Sequence, residues 1–512
     1  MHARATQNVA SYLEHSAWSN PHKIAVVDGD TSWTYQQLLE HSKRAGTALC
    51  QHKAQRRAVV LVMEKSAPAL ALMMGALMAG AYYVPVDPQS PAQRLQKIVH
   101  RLQDPLVVTA GEASLEGLDT TSILSADELL SGAIDEAVLA EARACTLETD
   151  PAYVLFTSGT TGEPKGVAIS HHAIATFISS FTEFMGLTAD DRFANQAPLD
   201  FDVSTKDIYG AFSLGATLVL VDRRLFMQPA ALVAFLQEQK VTVLTWAVAA
   251  LCIVSGYHAL DGADLSTIRK VLFSGEVMPR KHLAAWRKQL PQATFVNLYG
   301  PTEITCNCLY HVLNPDRCYD QGIPLGASFP HCRVTLVAED GSEVTAPGSQ
   351  GELVIGGPTL ALGYIGMPEQ TAAAFTQSSL QSTFPERVYR SGDLATITED
   401  GEWLFAGRKD HQIKFQGHRI ELEEIESTIE SLEGITRCRC VLDTRANLIR
   451  AFFEGSADST DAVALVRSQL PSHMRPASIE RVETMPLTAH GKIDRARLLE
   501  DFRAKKRAQR AG

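Results

Sequence analysis

Residues 153–171 read YVLFTSGTTGEPKGVAISH. An apolar strand runs into Thr157, Ser158, Gly159, Thr160, Thr161, Gly162, Glu163, Pro164, Lys165 and Gly166. Four of these ten residues carry hydroxyls, three are glycine and one is lysine. Glycine lets backbone N–H groups approach an anion closely, hydroxyls add donors and the ammonium adds charge. On physical grounds the stretch is a phosphate cradle at the end of a strand. It is not the G-x-x-x-x-G-K-[ST] loop, because no Gly-Lys-Ser/Thr is present.

On either side of the cradle, from Thr31 to about Ala395, helical patterns alternate with β-branched runs such as RAVVLVM, ATLVLVD, VTVLTWA, KVLFSG and TFVNLYG. Amphipathic stretches such as PAALVAFLQEQ and HLAAWRKQL lie between them. Such alternation predicts layered α/β structure with largely parallel sheets. Near Gly341 the spacing tightens: GSEVTAPGSQGELVIGG and DGEWLFAG read as a small antiparallel, β-barrel-like part. Residues 66–86 carry no charge, yet Pro68, Gly75, Gly80 and Pro85 interrupt them. They predict a buried helix over 67–78 and a buried strand, not a membrane span. From Asp410 the chain reads strand, turn, strand and amphipathic helix, followed by CRCVLD, LIRAFFEG, a helix at DAVALVRSQL and PLTAHGKIDR. That is about 100 residues of α+β, enough for a small separate domain. The expected organisation is a large core at 1–409 and a small, mobile C-terminal domain at 410–512.

The chain has 512 residues, 45% hydrophobic and 21% charged, with 47 basic against 58 acidic side chains. A net charge of −11 is a poor basis for general nucleic-acid binding, which needs clustered cations. Nine scattered cysteines without a C-x-x-C suggest reduced thiols in a cytoplasmic protein. Cys306 and Cys308, like Cys438 and Cys440, alternate as strand residues would. Residues 1–18 have no apolar core and no small-residue cleavage site, so no secretory leader is expected. The closing RAKKRAQRAG reads as a solvated terminus.

Three further strings carry chemistry. NLYGPTE, 297–303, follows a strand. Tyr299 offers a flat face for a base, Asn297 can pair with a base edge, Thr302 can donate to a phosphate, and Glu303 is a hard oxygen ligand suited to Mg²⁺. In YRSGDLA, 389–395, the Asp393 carboxylate suits two ribose hydroxyls. GRKDHQIKFQGHRIELEEIE, 407–426, is dense in charge.

Together these strings resemble the adenylate-forming superfamily: amino-acid adenylation domains of nonribosomal peptide synthetases, acyl-CoA synthetases and luciferases. Further matches are TSWTYQQLLEHS, LMAGAYYVPVDPQSPAQRL, GELVIGGPTLALGY and PLTAHGKIDR, so the resemblance runs from about Thr31 to Arg495 with every motif in order. FDVSTKDIYGAF and FSGEVMP are similar to free-standing D-alanine–carrier-protein ligases. The resemblance implies that Thr157, Ser158, Gly159, Thr160, Thr161, Gly162 and Lys165 wrap the ATP phosphates. Asn297 and Tyr299 would hold adenine, with Gly300 also in the ATP site, Asp393 and Arg408 would hold ribose, Thr302 would touch the α-phosphate and Glu303 the Mg²⁺. Lys492 would reach into the site from the C-terminal domain, which turns about Asp410. After the turn, the strand from Lys414 to Gly417 would line the approach for a phosphopantetheine arm.

By the same resemblance Asp202 would pair with a substrate α-ammonium, the cation that a buried acid beside apolar neighbours needs. Taken alone, Asp202 also reads as a helix N-cap. Val203, Lys206, Thr245, Leu272, Ser274, Leu298, Cys306 and Asn307 would line the rest of the pocket. Lys206 departs from the usual apolar residue, and two readings stand. Pointing inward, it calls for an anionic or hydrogen-bonding substrate group; pointing outward, it is a solvated helix lysine beside Asp207. The implied function is a stand-alone ligase: ATP and an amino acid give an aminoacyl-AMP, which a separate holo-carrier thiol then attacks. An acyl-CoA synthetase is the alternative, and Asp202 argues against it. A non-catalytic module of the same fold is disfavoured by Lys165, Glu303, Asp393 and Lys492.

Overall fold

The computed structural model describes residues 8–111, 118, 122–159, 163–487 and 493–511. Thr160, Thr161, Gly162 and Lys492 lie outside the described residues.

Two mixed sheets build the large N-terminal part. In the seven-stranded sheet, Ala58–Val62 lies parallel to Tyr82–Val86 and Leu106–Thr109, and Tyr82–Val86 lies parallel to Pro151–Thr157. Pro151–Thr157 and Lys165–Ser170 then pair antiparallel on either side of the cradle. All five residues of Ala58–Val62 are buried. Val59 and Leu61 enter one core while Ala58, Val60 and Val62 enter another, which is why the strand reads as an unbroken apolar run. The chargeless stretch folds as the sequence predicts, into helix Ala67–Met78 and strand Tyr82–Val86. Ser66 caps the helix by accepting from Ala69 N–H at 3.3 Å, and eleven of its twelve residues are buried.

The nine-stranded sheet carries the parallel strands Arg192–Asn195, Thr217–Leu220, Val243–Ala247, Lys270–Ser274 and Thr294–Tyr299. Helix Val203–Leu214 packs between the two sheets, where Ile208, Tyr209 and Phe212 join the main core. The expected barrel-like part is a five-stranded antiparallel sheet that includes Gln350–Gly356, Arg387–Ile397 and Trp403–Arg408.

The smaller C-terminal domain has its own core, centred on Ile420, Ile425, Ile429, Cys438, Cys440 and Phe453. It begins with the hairpin Gln412–Phe415 and His418–Glu421. Gln416 and Gly417 connect its strands with φ of 52° and 84°, the two positive φ values of a tight turn that follows the strand twist. All nine cysteines are free, and Cys438 and Cys440 lie in strand Ile435–Asp443 as expected. The strand reading fails at Cys306 and Cys308, which both precede strand Leu309–Val312. Thr305 and Cys306 have φ of 60° and 77° and form a turn, which Thr305 Oγ1 fixes by donating to Thr359 O at 2.7 Å. No helix among the described residues is long and apolar enough to cross a membrane.

Candidate active site

The site lies where the parallel strands of the nine-stranded sheet end, the usual ligand position in open α/β sheets. Asn297 and Tyr299 are two residues apart on strand Thr294–Tyr299, so they share a face. Asn297 Nδ2 donates to Pro324 O at 2.9 Å, and Tyr299 Oη donates to Asp393 Oδ2 at 2.5 Å. Asp393 sits directly opposite Arg408 in the five-stranded sheet and pairs with its guanidinium. Arg408 also bridges to both oxygens of Asp410, at 2.6 and 2.7 Å. One ionic chain therefore joins the residues assigned to base and ribose to the residue assigned as hinge. Gly300 follows the strand, and a Cβ there would lie 2.5 Å from Cys306 O and 2.6 Å from Asn307 Cα. Only glycine lets the strand end pass this close to the loop that carries Thr302, Glu303, Cys306 and Asn307.

The described part of the phosphate cradle is in contact with the C-terminal domain. Ser158 Oγ donates to Arg419 O at 2.8 Å and accepts from Glu421 N–H at 3.0 Å. Gly159 N–H donates to Glu424 Oε2 at 3.0 Å, and Arg94 holds the other Glu424 oxygen at 3.2 Å. Lys165 Nζ stands 3.9 Å from Glu421 Oε1. Two carboxylates thus meet donors suited to phosphate. Burial raises the affinity of both carboxylates for protons, and Arg94 opposes this at Glu424. A Cβ on Gly159 would collide with the Glu163 carbonyl, so the turn requires glycine. Thr157 Oγ1 lies 3.5 Å from Lys165 O, at the foot of the turn.

Glu303 is fully buried next to Thr302. Its Oε1 accepts from Tyr364 Oη at 2.8 Å and its Oε2 from Arg419 Nη1 at 2.7 Å. Burial alone would raise its pKa, but the Arg419 charge and the tyrosine hydroxyls hold the carboxyl below its ordinary value. The hairpin brings two further contacts. Lys414 Nζ lies over the Tyr299 ring, 5.3 Å from its centre, and Gly417 N–H donates to Glu276 Oε1 at 2.6 Å. Of the stretch from Lys414 to Gly417, Lys414 and Phe415 end the first strand of the hairpin and Gln416 and Gly417 form its turn.

Asp202 immediately precedes helix Val203–Leu214 but makes no cap bond, so the N-cap reading does not hold. Instead its Oδ2 accepts from Thr302 Oγ1 at 2.6 Å. Burial raises its pKa, while Thr302 and the Lys206 charge partly counter that rise. Lys206 is fully buried, which decides between its two readings in favour of the inward one. Its Nζ is 3.3 Å from Ser274 Oγ and 3.3 Å from Asn307 Oδ1. Cys306 Sγ lies 3.5 Å from the same Asn307 oxygen. Val203, Thr245, Leu272 and Leu298 are buried, and Thr245 donates its hydroxyl to Asp207. Asp207 is buried too, accepts from Asn195 Nδ2 at 3.0 Å, and is pushed up to about 7 by burial.

Sequence reasoning gave no role to Tyr364, Arg419, Glu421, Glu424, Arg94 or Glu276. The first four stand in the strings GELVIGGPTLALGY and GRKDHQIKFQGHRIELEEIE, but no local pattern says that a guanidinium from residue 419 will meet a carboxylate at 303. Lys65 was likewise missed. It is anchored by three carbonyls, of Asn195, Gln196 and Ala197, at 2.7, 3.1 and 3.3 Å.

The sequence profile of the family described as AMP-binding enzyme matches residues 13–365. A D-alanine–D-alanyl carrier protein ligase of Bacillus thuringiensis (strain Al Hakam) is 31% identical over 514 residues, covering 96% of this chain and 99% of that one. Tyrocidine synthase 1 of Brevibacillus parabrevis is 31% identical over 500 residues, but these span 96% of this chain and only 45% of the synthase. Among solved structures, holo-PA1221, a nonribosomal peptide synthetase protein with adenylation and carrier domains bound to a vinylsulfonamide inhibitor, superposes with a TM-score of 0.84. It is 29% identical, with 97% of this chain and 84% of that one covered. The chain belongs to the AMP-binding enzyme family.

Proposed function

We propose that this chain is an AMP-forming ligase that adenylates an amino acid and passes the aminoacyl group to the phosphopantetheine thiol of a carrier protein. The observation that carries this reading is the 2.6 Å hydrogen bond from Thr302 to Asp202. It joins the string assigned to the nucleotide to the buried carboxylate assigned to the α-ammonium. A substrate held at Asp202 has its own carboxylate beside the position assigned to the ATP α-phosphate.

In the first half-reaction that carboxylate attacks the α-phosphorus, the bond to the β-phosphate oxygen breaks, and pyrophosphate leaves. Both reactants are anions, so positioning and neutralisation of charge do most of the work. The cradle, Lys165 and Lys492 would supply donors to the phosphates, and Asp393 with Arg408 would hold the ribose. Glu303 fits a magnesium ion as the single hard carboxylate of a shell completed by phosphate oxygens and water. When bound there, the ion neutralises the charge that develops on the phosphates. In the second half-reaction a thiol attacks the acyl carbonyl and AMP leaves.

The hairpin contacts support alternation between two arrangements about Asp410. Arg419 on Glu303, with Glu421 and Glu424 at the cradle, makes a site suited to thiol transfer, once pyrophosphate has left. In that arrangement Lys414 and its strand would line the thiol approach. Adenylation requires Arg419 to withdraw so that Lys492 can enter. The free thiols and the absence of a spanning helix among the described residues accord with a cytoplasmic site of action.

The test is ATP–pyrophosphate exchange over proteinogenic, D- and β-amino acids, followed by loading of a holo-carrier. Exchange that depends on an amino acid is the expected result. Exchange or thioester formation only with simple carboxylic acids and coenzyme A would establish the acyl-CoA reading instead.

A further inference from the structure

Lys206 is an anomaly in a pocket otherwise lined by Val203, Leu272, Leu298 and small polar groups. It is 0% exposed. An ammonium has three N–H donors and requires compensation when taken out of water. Here it has two acceptors, Ser274 Oγ and Asn307 Oδ1, both neutral and both at 3.3 Å. Asp202 and Asp207 act on it through the field, but no carboxylate of the described residues stands in ion-pair contact with it.

Asp207 already accepts from Asn195 Nδ2 and Thr245 Oγ1, and burial pushes it up to about 7, so it is a weak counter-charge. Asp202, which accepts from Thr302 Oγ1 and feels the Lys206 charge, is the carboxylate left to balance Lys206. When a substrate α-ammonium takes Asp202, Lys206 loses that balance, and the substrate's own α-carboxylate is committed to the α-phosphate. A neutral substrate side chain would leave a buried, uncompensated ammonium; an anionic one would restore neutrality and complete the third N–H.

We infer that Lys206, seated between Ser274 and Asn307, selects an amino acid whose side chain ends in a carboxylate. The inference rests on the adenylation reading and gives its site a substrate class. Lys206 is then the specificity determinant, and Ser274 and Asn307 position its ammonium.

The experiment is pyrophosphate exchange by the wild-type chain and by Lys206→Met, with both enantiomers of aspartate, glutamate, their amides, serine, alanine and leucine. The wild type is expected to favour a side-chain carboxylate over its amide and over alanine by at least about tenfold in kcat/KM, as in sites built around a polar substrate group. Lys206→Met is expected to lose the acidic substrate by at least about a hundredfold while alkyl side chains hold or gain. Equal use of alanine or leucine by the wild type overturns the inference but leaves the adenylation reading standing. A uniform loss across all amino acids in Lys206→Met also overturns it, because it would place Lys206 on the α-carboxylate that all of them share. Absence of exchange with every amino acid would remove both readings. If Lys206→Met fails to fold, the wild-type ranking still decides.

Discussion

Arg419 Nη1 donates to Glu303 Oε2 at 2.7 Å, so a guanidinium from the C-terminal hairpin neutralises the one buried carboxylate of the NLYGPTE string. The two residues are 116 positions apart in the chain. A metal ion held by Glu303, as proposed, would compete with Arg419 for the same carboxylate. The proposed alternation would then have a physical switch, with Arg419 or the cation neutralising Glu303.

Arg419→Gln is therefore expected to weaken the inserted arrangement. A charge-assisted hydrogen bond contributes about 1.5–3 kcal/mol, so transfer to the carrier thiol should slow by roughly 10–100-fold. Amino-acid-dependent pyrophosphate exchange should hold or rise. Single-turnover measurement of each half-reaction separates the two, and equal slowing of both would reject the switch.

Lys492→Ala should act in the opposite sense. Exchange should be lost, while thiol transfer from preformed aminoacyl-adenylate stays largely intact. Loss of both halves to the same degree would remove Lys492 from its assigned role.

Asp202→Ala leaves a substrate ammonium in a buried site without its partner. The expected loss is about 2–4 kcal/mol, the scale for removing one member of a buried charge pair, read as a raised KM for the amino acid. An unchanged KM would favour the acyl-CoA alternative.

Asp207 sets a pH signature. Its carboxyl is raised by burial from 3.8 to about 7, so between these values the folded state binds more protons than the unfolded one. The Asp207 contribution to stability therefore declines as pH rises from about 4 to about 7, by at most about 1.4 kcal/mol per pH unit. Burial lowers Lys65 from 10.5 to about 7, so its contribution rises with pH over that higher window. Asp207→Asn should flatten the first slope only. The check is Tm against pH for both proteins, and parallel curves from pH 4 to 7 would count against the buried, protonated acid.

Gly300→Ala should damage both substrate sites at once. The added methyl would meet Cys306 O and Asn307 Cα at 2.5 and 2.6 Å, both on backbone that has little room to move. Overpacking of this kind costs about 1–3 kcal/mol, and displacement of the loop should raise KM for ATP and for the amino acid together. Titration of each substrate at saturating levels of the other measures this.

Local pattern in the sequence was enough for the glycine-bearing turn after strand Pro151–Thr157, the parallel strands, the buried helix over 67–78 and the separate core of the last hundred residues. Each depends on short-range chemistry: glycine and hydroxyls in a turn, apolar runs in doubly covered strands, prolines that break a would-be span. Spacing alone also suggested a strand at Cys306, where the left-handed turn at Thr305 and Cys306 depends on a bond to Thr359 instead. The direction of Lys206 could not be read locally, because on helix Val203–Leu214 the inward and outward faces are distinguished only by what packs against them. The strand carrying Ser274 and the loop carrying Asn307 close over that face and turn a lysine that reads as solvated into a buried cation. The meeting of Arg419 with Glu303, and of Glu424 with Gly159, likewise belongs to tertiary structure alone. Residue types set which charges this chain possesses, whereas the packing of two domains, each around its own core, decides which of them compensate one another.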